Sequence, residues 1–415
     1  MKLVQFGAGN IGRSFIGQVF SRAGWEVVFI DIDERLVSLL NEKRFYTVAI
    51  KREGREDELR TVGPVRAVSG RDAAAAFELA SADLAVTSVG KNALTRILPV
   101  IAGGLKARRK LSAYHAVRPL DIIIAENARE APALFRTILS QELGPDYPLD
   151  ALVGIVGTSI GKMVPIMRNG DLAGDPLLLF AEAYETLIVD KRGFRAAIPA
   201  GVKALYPVEP IEAYVDRKLF IHNLGHAAAA YLGCRVLARD SAVRNATIPQ
   251  VLSLPGIEAA ARQAMNESAE ALLREYPGVF SREDLAVHIE DLLARFKNTA
   301  LGDTVYRVGR DLRRKLGRDD RLTGAMLLCA KHGLHFNTIA EVYCAALDFA
   351  APGEDGALFL PDLEFREEYR LGGVLTDKAL SAILAAVSGL NRETAPDSLL
   401  VDAVARLRIP ERSNA

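Results

Sequence analysis

Three polar side chains in the stretch from Lys218 to His226 have types and spacing that suit proton transfer. If the stretch is helical, at about 100° per residue, Lys218, Asn223 and His226 fall within an arc of about 140°. Transfer of a hydride to or from an alcohol needs a base for the hydroxyl proton and donors for the developing alkoxide. A lysine that is partly buried in a cleft can be that base, because burial lowers its pKa. The residues alone favour a plainer interpretation, in which the lysine is solvated, the histidine packs between helices and the asparagine bonds a neighbouring loop.

A glycine-rich loop near the N-terminus is the second candidate site. It has the spacing GxGxxG and consists of Gly7, Ala8, Gly9, Asn10, Ile11 and Gly12. The loop follows a predicted strand and begins a predicted helix, so its glycines suit a tight turn, a close pyrophosphate and close helix packing. Asp31 ends the next predicted strand, where a carboxylate binds the adenosine ribose hydroxyls and repels a 2′-phosphate. The pattern predicts a dinucleotide site that prefers NAD to NADP; the alternative is a glycine-rich turn kept for packing alone.

Two other predicted strands end in residues that can contact a ligand. Ser88, Val89 and Gly90 follow one strand, and Asn127 follows the next. The carboxyl ends of parallel strands share one edge of a sheet, and ligands bind at that edge. Asn127 can donate and accept hydrogen bonds with a substrate oxygen. From the sequence alone, a helix N-cap is the more common role for such an asparagine.

A group of basic residues lies in the second half of the chain. Arg307, Arg310 and Arg314 are spaced i, i+3 and i+7 in a helix predicted over 304–316, so they would share one face. Such a face can bind a phosphate group. Interleaved aspartates, Asp303 among them, make a solvated face of ion pairs the more common explanation.

Alternating strand and helix patterns in the first half must position these residues. Short apolar runs such as Leu3–Phe6 are separated by helical patterns, which is typical of a parallel sheet covered by helices on both faces. The stretches 46–52 and 59–65 interrupt this alternation and predict an irregular insertion. We therefore expect an α/β fold with a doubly wound, Rossmann-type dinucleotide-binding domain over 1–206. Amphipathic helices dominate the remainder, which predicts a mostly α-helical substrate-binding and catalytic domain over 207–415.

The composition narrows the class of protein. The chain has 415 residues, 52 basic and 52 acidic side chains, and 50% hydrophobic residues, a balance typical of a folded protein without a broad nucleic-acid surface. We expect neither a signal peptide nor a membrane helix, since no apolar run approaches the ~18 residues that a span requires. Cys234, Cys329 and Cys344 form no CxxC pair, so we expect a cytoplasmic protein without disulfides. No metal site is expected, because Cys329 with His332 and His335 lacks a second ligand pair.

Together, these motifs resemble the polyol-specific long-chain dehydrogenases, or mannitol dehydrogenase family. The resemblance spans nearly the whole chain and is carried by residues 6–13, Glu126-Asn127, residues 188–191, 217–220, Asn223, residues 225–227 and residues 307–310. The pattern K-x4-N-x2-H after a dinucleotide fold is specific to this family. The resemblance implies an NAD-dependent, zinc-independent enzyme that interconverts a sugar-alcohol phosphate and a ketose phosphate, with D-mannitol 1-phosphate and D-fructose 6-phosphate as the expected pair. The alternatives are the same chemistry on an unphosphorylated polyol or a hexuronate, and a non-catalytic dinucleotide-binding sensor.

The resemblance also implies roles for the polar residues. Lys218 matches the general base, Asn127 and Asn223 match the residues that stabilise the oxyanion, and His226 matches a residue that positions the substrate. The expected partner is a small sugar alcohol or ketose. We expect no nucleic-acid or membrane partner, and a monomer or small homo-oligomer.

One segment near the substrate departs from the family pattern. Where relatives carry a stretch of the type V-D-R-I-x-P, Gly161 replaces the aspartate and Lys162 replaces the arginine. Lys162 keeps the positive charge but loses the planar two-point grip of an arginine. Lys162, Arg307 and Arg310 are the expected substrate ligands, through a phosphate group if the substrate carries one.

Overall fold

The structure, a computed structural model, describes residues 1–90, 92–111, 117–126, 129–165, 174–238, 243–371 and 375–408. The chain divides into two compact units, Met1–Val215 and Asp216–Ala415. Among the described residues, the helices are all too short or too polar to cross a membrane.

The first unit alternates strands and helices. Its strands are β1 (Lys2–Phe6), β2 (Glu26–Asp31), β3 (Tyr46–Lys51), β4 (Glu58–Val62), β5 (Val65–Ser69), β6 (Leu84–Thr87), β7 (Leu120–Ile124), β8 (Val153–Val156), β9 (Thr158–Ser159), β10 (Leu179–Glu182), β11 (Leu187–Asp190) and β12 (Leu205–Val208). The α-helices up to the unit boundary are α1 (Gln18–Arg22), α2 (Glu34–Lys43), α3 (Ala74–Ala80), α4 (Leu94–Leu111), α5 (Ala131–Leu143), α6 (Leu149–Leu152) and α7 (Ile211–Arg217), and a π-helix spans Gly12–Gly17.

Six strands form a parallel sheet in the order β5-β2-β1-β6-β7-β8. Phe6 pairs with both Ile30 and Thr87, and Thr87 pairs with Ile124, so four neighbouring strands end level with one another. The direction in which the chain adds strands reverses between β1 and β6. Ligands of such sheets bind outside the carboxyl ends at this reversal. The sheet therefore places Asp31 and the segment from Ser88 to Gly90 on one edge.

Successive residues of the strands enter two separate apolar clusters. Leu3 belongs to the cluster that includes Phe15 of the π-helix, whereas Val4 and Phe6 belong to the cluster that includes Phe135 of α5. Because both faces of the sheet are covered, its strands are apolar throughout rather than alternating. The α/β class with a doubly wound parallel sheet is therefore confirmed.

The expected irregular insertion is wrong, because its two stretches form regular strands. β3 and β4 pair in antiparallel fashion from Tyr46 opposite Val62 to Ile50 opposite Glu58, and β10 pairs with β3. Ala49 is buried, and so are Val48 and Ile50 on either side of it in β3. Burial on both sides of the strand removes the alternation by which a sequence signals a half-buried strand.

The second unit is mostly helical, as predicted. After a π-helix over Lys218–Asn223 it contains α8 (Leu224–Leu237), α9 (Ile248–Leu252), α10 (Ile257–Glu275), α11 (Arg282–Phe296), α12 (Val305–Gly309), α13 (Leu312–Lys315), α14 (Thr323–Lys331), α15 (Asn337–Asp348), α16 (Leu360–Glu368), α17 (Asp377–Ala386) and α18 (Asp397–Arg408). Small residues let neighbouring helices approach α8 closely: a Cβ on Gly225 would collide with Met265, and one on Gly233 with Val251.

The helix predicted over 304–316 is broken into α12 and α13. Asp311, between them, has a φ of 74°, in the left-handed region. The carboxylate of Asp362 accepts the N–H groups of Asp311 and Leu312 at 2.9 and 2.7 Å. The buried ammonium of Lys315 donates to carbonyl groups at the end of α12. The break therefore depends in part on Asp362, which lies outside the segment and has no trace in its periodic pattern.

Candidate active site

The glycine-rich loop has the shape of a phosphate cradle. Gly7 has a φ of 90°, which favours glycine. A Cβ on Gly12 would lie 2.0 Å from the carbonyl oxygen of Gly7, so the helix can approach the end of β1 only without a side chain there. A Cβ on Gly9, by contrast, would meet no atom within 4 Å, and Gly9 and Asn10 are exposed. The open space over Gly9 fits a pyrophosphate at the head of a helix.

Asp31 lies beside this loop at the end of β2. Its Oδ2 accepts the N–H of Ala8 at 2.6 Å, and its Oδ1 accepts the N–H of Asp33 at 3.0 Å. In the loop itself, Ala8 is buried and Ile11 is half-buried. An ionised carboxylate has further acceptor positions, which suit the two ribose hydroxyls of a dinucleotide. The loop and carboxylate together fit an adenine dinucleotide that lacks a 2′-phosphate.

Two buried polar side chains, Arg13 and Gln5, donate hydrogen bonds to carbonyl groups of the loop. Arg13 donates from Nε to the carbonyl oxygen of Ala8 at 2.6 Å. Gln5 donates from Nε2 to the carbonyl oxygen of Gly7 at 3.1 Å and to Oγ of Ser88 at 2.8 Å. Gln5 thereby joins the end of β1 to the end of β6, across the reversal of strand order.

Glu126 is a residue of this edge that the sequence reasoning did not assign. Its Oε1 accepts the N–H of Val89 at 2.9 Å, and its Oε2 accepts the N–H of Gly90 at 3.0 Å. The side chain is buried, and burial raises its pKa. The available signal was an acidic residue directly after a buried strand at the carboxyl edge. Glu126 fixes the segment from Ser88 to Gly90; Asn127, which follows it, lies outside the described residues.

Lys218 begins a π-helix rather than a turn of α-helix. In an α-helix, two residues five positions apart point about 140° away from each other around the axis. In a π-helix, residues five positions apart are joined by a hydrogen bond, so they lie one above the other. Lys218 and Asn223 are therefore brought to nearly the same face, and His226 follows Asn223 by three residues in α8, again on that face. Residues 220 to 234 are all buried except Asn223 and His226, which are half-buried. The predicted polar residues thus remain accessible on an otherwise buried segment.

The surroundings of Lys218 lower its pKa toward neutral pH. Burial, and then the positive charge of Arg321, lower the pKa of Lys218 from 10.5 to about 8. Arg321 is itself held by Asp320, with 2.7 Å from Nε to Oδ1. An amine with a pKa near 8 exchanges protons readily close to neutral pH, which suits a general base. Arg321 is a second residue whose relation to the site the sequence did not reveal.

His226 is held in a fixed plane and is neutral. Its ring stacks on Phe296, with centroids 4.6 Å apart and 6° between the planes. Burial, followed by the positive charges of Arg307 and Lys315, lowers the pKa of His226 to about 3. Its Nε2 lies 3.5 Å from Oδ2 of Asp303. A neutral imidazole offers one donor and one acceptor, so it suits a sugar hydroxyl.

The break between α12 and α13 separates the predicted substrate arginines. Arg307 lies within α12, Arg310 follows its end, and Arg314 lies in α13, so the expectation that the three share one helix face is wrong. Arg307 forms an ion pair with Asp303. The guanidinium carbon of Arg310 lies 5.3 and 5.2 Å from the centroids of two aromatic rings. Stacking of this kind leaves the N–H edge of a guanidinium available for hydrogen bonds.

Lys162 is buried in the first unit. Its Nζ donates to the carbonyl oxygens of Glu182 and Tyr184, each at 2.7 Å. Next to it, a Cβ on Gly161 would touch the ring of Tyr184 at 3.4 Å. The side chain of Lys162 is therefore hydrogen-bonded to backbone groups of its own unit. Direct contact between Lys162 and a substrate stays a prediction.

Comparison with known proteins gives matches to both units. A family model for the mannitol dehydrogenase Rossmann domain matches residues 1–201, and one for the mannitol dehydrogenase C-terminal domain matches residues 210–406. The mannitol-1-phosphate 5-dehydrogenase of Brevibacillus brevis is 34% identical over 357 residues, which are 85% of this chain and 87% of that protein. The mannitol-1-phosphate 5-dehydrogenase of Bacillus subtilis is 33% identical over 394 residues, which are 94% of this chain and 96% of that protein.

A solved structure shares the fold at lower identity. It is the mannitol 2-dehydrogenase of Pseudomonas fluorescens, in a ternary complex with NAD and D-mannitol, with a TM-score of 0.72 and 16% identity. The match covers 98% of this chain and 90% of that chain.

Proposed function

The chain belongs to the mannitol dehydrogenase family, and we propose that it interconverts D-mannitol 1-phosphate and D-fructose 6-phosphate. Membership confirms the class expected from the sequence, an NAD-dependent oxidoreductase acting on a CH–OH group, and sets aside the non-catalytic sensor. The phosphorylated substrate is supported by two relatives named for it, each at least 33% identical to this chain.

The observation that carries the proposed chemistry is the placement of Lys218 and Asn223 on one face by the π-helix. The neutral amine of Lys218 takes the proton of the substrate hydroxyl, and the side-chain amide of Asn223 donates a hydrogen bond to the developing alkoxide. NAD+, when bound, supplies the acceptor for the hydride. We assign Asn127 the role of a second donor to the same oxygen, in keeping with its family position. In the reverse direction the ammonium form of Lys218 returns the proton.

Arg310 is a described residue whose surroundings suit a phosphate group. It makes no ion pair within the described residues, and its guanidinium is flanked by the rings of Tyr306 and Phe359. A stacked guanidinium presents a planar, two-point donor edge that matches phosphate oxygens. We therefore assign phosphate binding to Arg310, with Arg307 beside it.

A second candidate is the same reaction on an unphosphorylated polyol. It is favoured by the internal contacts of two expected phosphate ligands, since Arg307 is paired with Asp303 and Lys162 donates to two carbonyl groups. Under this candidate Lys218, Asn223 and His226 keep their roles.

Initial rates with NADH distinguish the two candidates. The panel is fructose 6-phosphate, fructose, fructuronate and tagaturonate, each assayed with the wild type and with Arg310→Gln. We expect fructose 6-phosphate to be preferred, and Arg310→Gln to raise its KM at least tenfold while the KM of the other ketoses stays within twofold. Preference for an unphosphorylated ketose, with no effect of Arg310→Gln, would favour the second candidate. Lys218→Ala completes the set: it should lose turnover and still bind NADH.

We place the reaction in the cytoplasm, and the free, buried state of Cys234, Cys329 and Cys344 supports a reducing compartment. Sugar alcohol or ketose and NAD are the partners that this chemistry requires. A monomer or small homo-oligomer remains our expectation for the assembly.

A further inference from the structure

Asp303 is a buried carboxylate in a fixed position just before α12. Only 6% of its surface is exposed. Its carbonyl oxygen accepts the N–H of Ile248 at 2.9 Å, and Val305 donates its N–H to the carbonyl oxygen of Ala246 at 2.8 Å. The following residue, Thr304, caps α12 by accepting the N–H of Arg307. The backbone of Asp303 is therefore held on both sides, so its carboxylate has a defined direction.

The carboxylate of Asp303 faces two predicted substrate residues at once. Its Oδ1 pairs with Nη1 of Arg307, and its Oδ2 lies 3.5 Å from Nε2 of His226. Burial raises the pKa of Asp303, and the charge of Arg307 opposes that effect. A buried carboxylate is costly unless its oxygens meet donors. Arg307 supplies a donor for one oxygen, which leaves the second oxygen directed at the imidazole.

The ring of His226 needs such a partner for its orientation. Stacking on Phe296 fixes the plane of the ring, but a stacked ring can still turn within its plane or flip its edge. Nε2 is buried and makes no aligned hydrogen bond within the described residues. The separation of 3.5 Å from Asp303 is at the long end of the hydrogen-bond range, and such distances commonly shorten when substrate binds.

We propose that Asp303 is a positioning residue of the substrate site, which fixes both the orientation and the tautomer of His226 while it holds Arg307. The proposal rests on the proposed function. With the proton on Nε2 directed at Asp303, the lone pair of the ring lies on Nδ1. Nδ1 makes no hydrogen bond within the described part of the chain. The group that His226 recognises is therefore a hydroxyl of the sugar, which donates to Nδ1, and not the phosphate, which has no proton to give.

Asp303→Asn tests this with little change in shape. The amide oxygen of the asparagine can still accept from Arg307, but its NH2 group then faces Nε2 of His226. An N–H donor at that position forces the proton of the neutral ring onto Nδ1, which turns the acceptor for the sugar hydroxyl into a donor. Asp348→Asn is the matched control, since it breaks an aspartate–arginine pair between α15 and α18.

The readout is nitrogen-15 spectroscopy of the histidine rings, combined with kinetics. The chain has six histidines, so His226→Gln identifies the signal of His226. We expect the wild type to carry the proton on Nε2 and Asp303→Asn to carry it on Nδ1. We also expect Asp303→Asn to raise the KM of the sugar substrate at least tenfold, with the Kd of NADH unchanged. Asp348→Asn should match the wild type in both measurements.

Two results would overturn the proposal. One is a wild-type ring with its proton on Nδ1, a measurement that decides the question even if Asp303→Asn does not fold. The other is a folded Asp303→Asn variant with the tautomer and the KM of the wild type. Absence of turnover on every polyol and ketose would refute the proposed function instead, and the spectra would still decide the tautomer.

Discussion

Lys218 should appear as a single titration near pH 8 in the rate of alcohol oxidation. Oxidation requires the neutral amine, so its rate follows the fraction of Lys218 that has lost its proton. With a pKa of about 8, that fraction is about 9% at pH 7 and about 90% at pH 9. Oxidation should therefore rise about tenfold over this interval and then level off. Ketone reduction requires the ammonium form and should fall about tenfold over the same interval.

The assay is single-turnover hydride transfer, followed through NADH absorbance from pH 6.5 to 10 at constant ionic strength. A deuterium-labelled alcohol shows whether hydride transfer limits the observed rate. A lysine at its ordinary value of 10.5 would give a rate that still climbs about tenfold per pH unit at pH 9. A profile that is flat from pH 7 to 9, or that has no plateau by pH 10, would refute the assignment of Lys218 as a base with a lowered pKa.

Arg321→Gln extends the same prediction. Because the charge of Arg321 lowers the pKa of Lys218, its removal should move the midpoint to higher pH, but not as far as 10.5, since burial is the larger cause. Arg318→Gln is the control, as Arg318 pairs with Asp397 and should leave the midpoint unchanged. A midpoint that moves to lower pH in Arg321→Gln would contradict the reasoning.

Three further predictions concern the cofactor edge. Gly12→Ala should cost about 1–3 kcal/mol of stability and abolish NADH binding, because its Cβ meets the carbonyl group of Gly7. Gly9→Ala should keep the wild-type Tm and weaken only NADH binding, because its Cβ meets no atom within 4 Å. Equal Tm losses in the two variants would contradict this. Asp31→Ala should weaken NADH binding and reduce the preference for NADH over NADPH in fluorescence titrations; an unchanged ratio would argue against its ribose role. Glu126→Gln should replace one acceptor of the Val89–Gly90 segment by a donor, which leaves one N–H unpaired and costs about 1–3 kcal/mol of stability. The KM for NAD+ should also rise several-fold, and an unchanged KM would show that this segment does not affect cofactor binding.

The sequence was most informative where function depends on the backbone. Gly7 and Gly12 are required by a left-handed turn and a close helix, so residue type alone reported the geometry. Glu126 and Gln5 were not assigned in this way, because each bonds a group more than 30 residues away in the sequence: Val89 for Glu126 and Ser88 for Gln5. Local spacing carries no information about such partners. The loop was thus predictable, and the side chains that hold it were not.

In the second unit, spacing located the polar residues but misjudged their arrangement. A uniform α-helix put Lys218 and Asn223 at the edges of a broad arc, whereas the π-helix brings them together. The apolar spacing of the segment does not signal the π-turn, because such turns are rare and short. The same limitation explains the basic segment, where Asp362 stabilises a break that an uninterrupted pattern from 304 to 316 conceals.

The positive charges of Arg307 and Arg321 affect both the proposed substrate residues, Lys218 and His226, and the binding of the proposed phosphate group. Burial is the largest cause of the lowered pKa of both Lys218 and His226. The charge of Arg321 adds to it at Lys218, and the charges of Arg307, Lys315 and Arg321 add to it at His226. The same positive charges attract a substrate bearing a phosphate dianion. Asp303 offsets part of this charge through its pair with Arg307, and its second oxygen faces His226. This positive charge therefore adds to the effect of burial on the pKa of Lys218 and also attracts the proposed phosphorylated alcohol, so base strength and the proposed substrate preference share one electrostatic contribution.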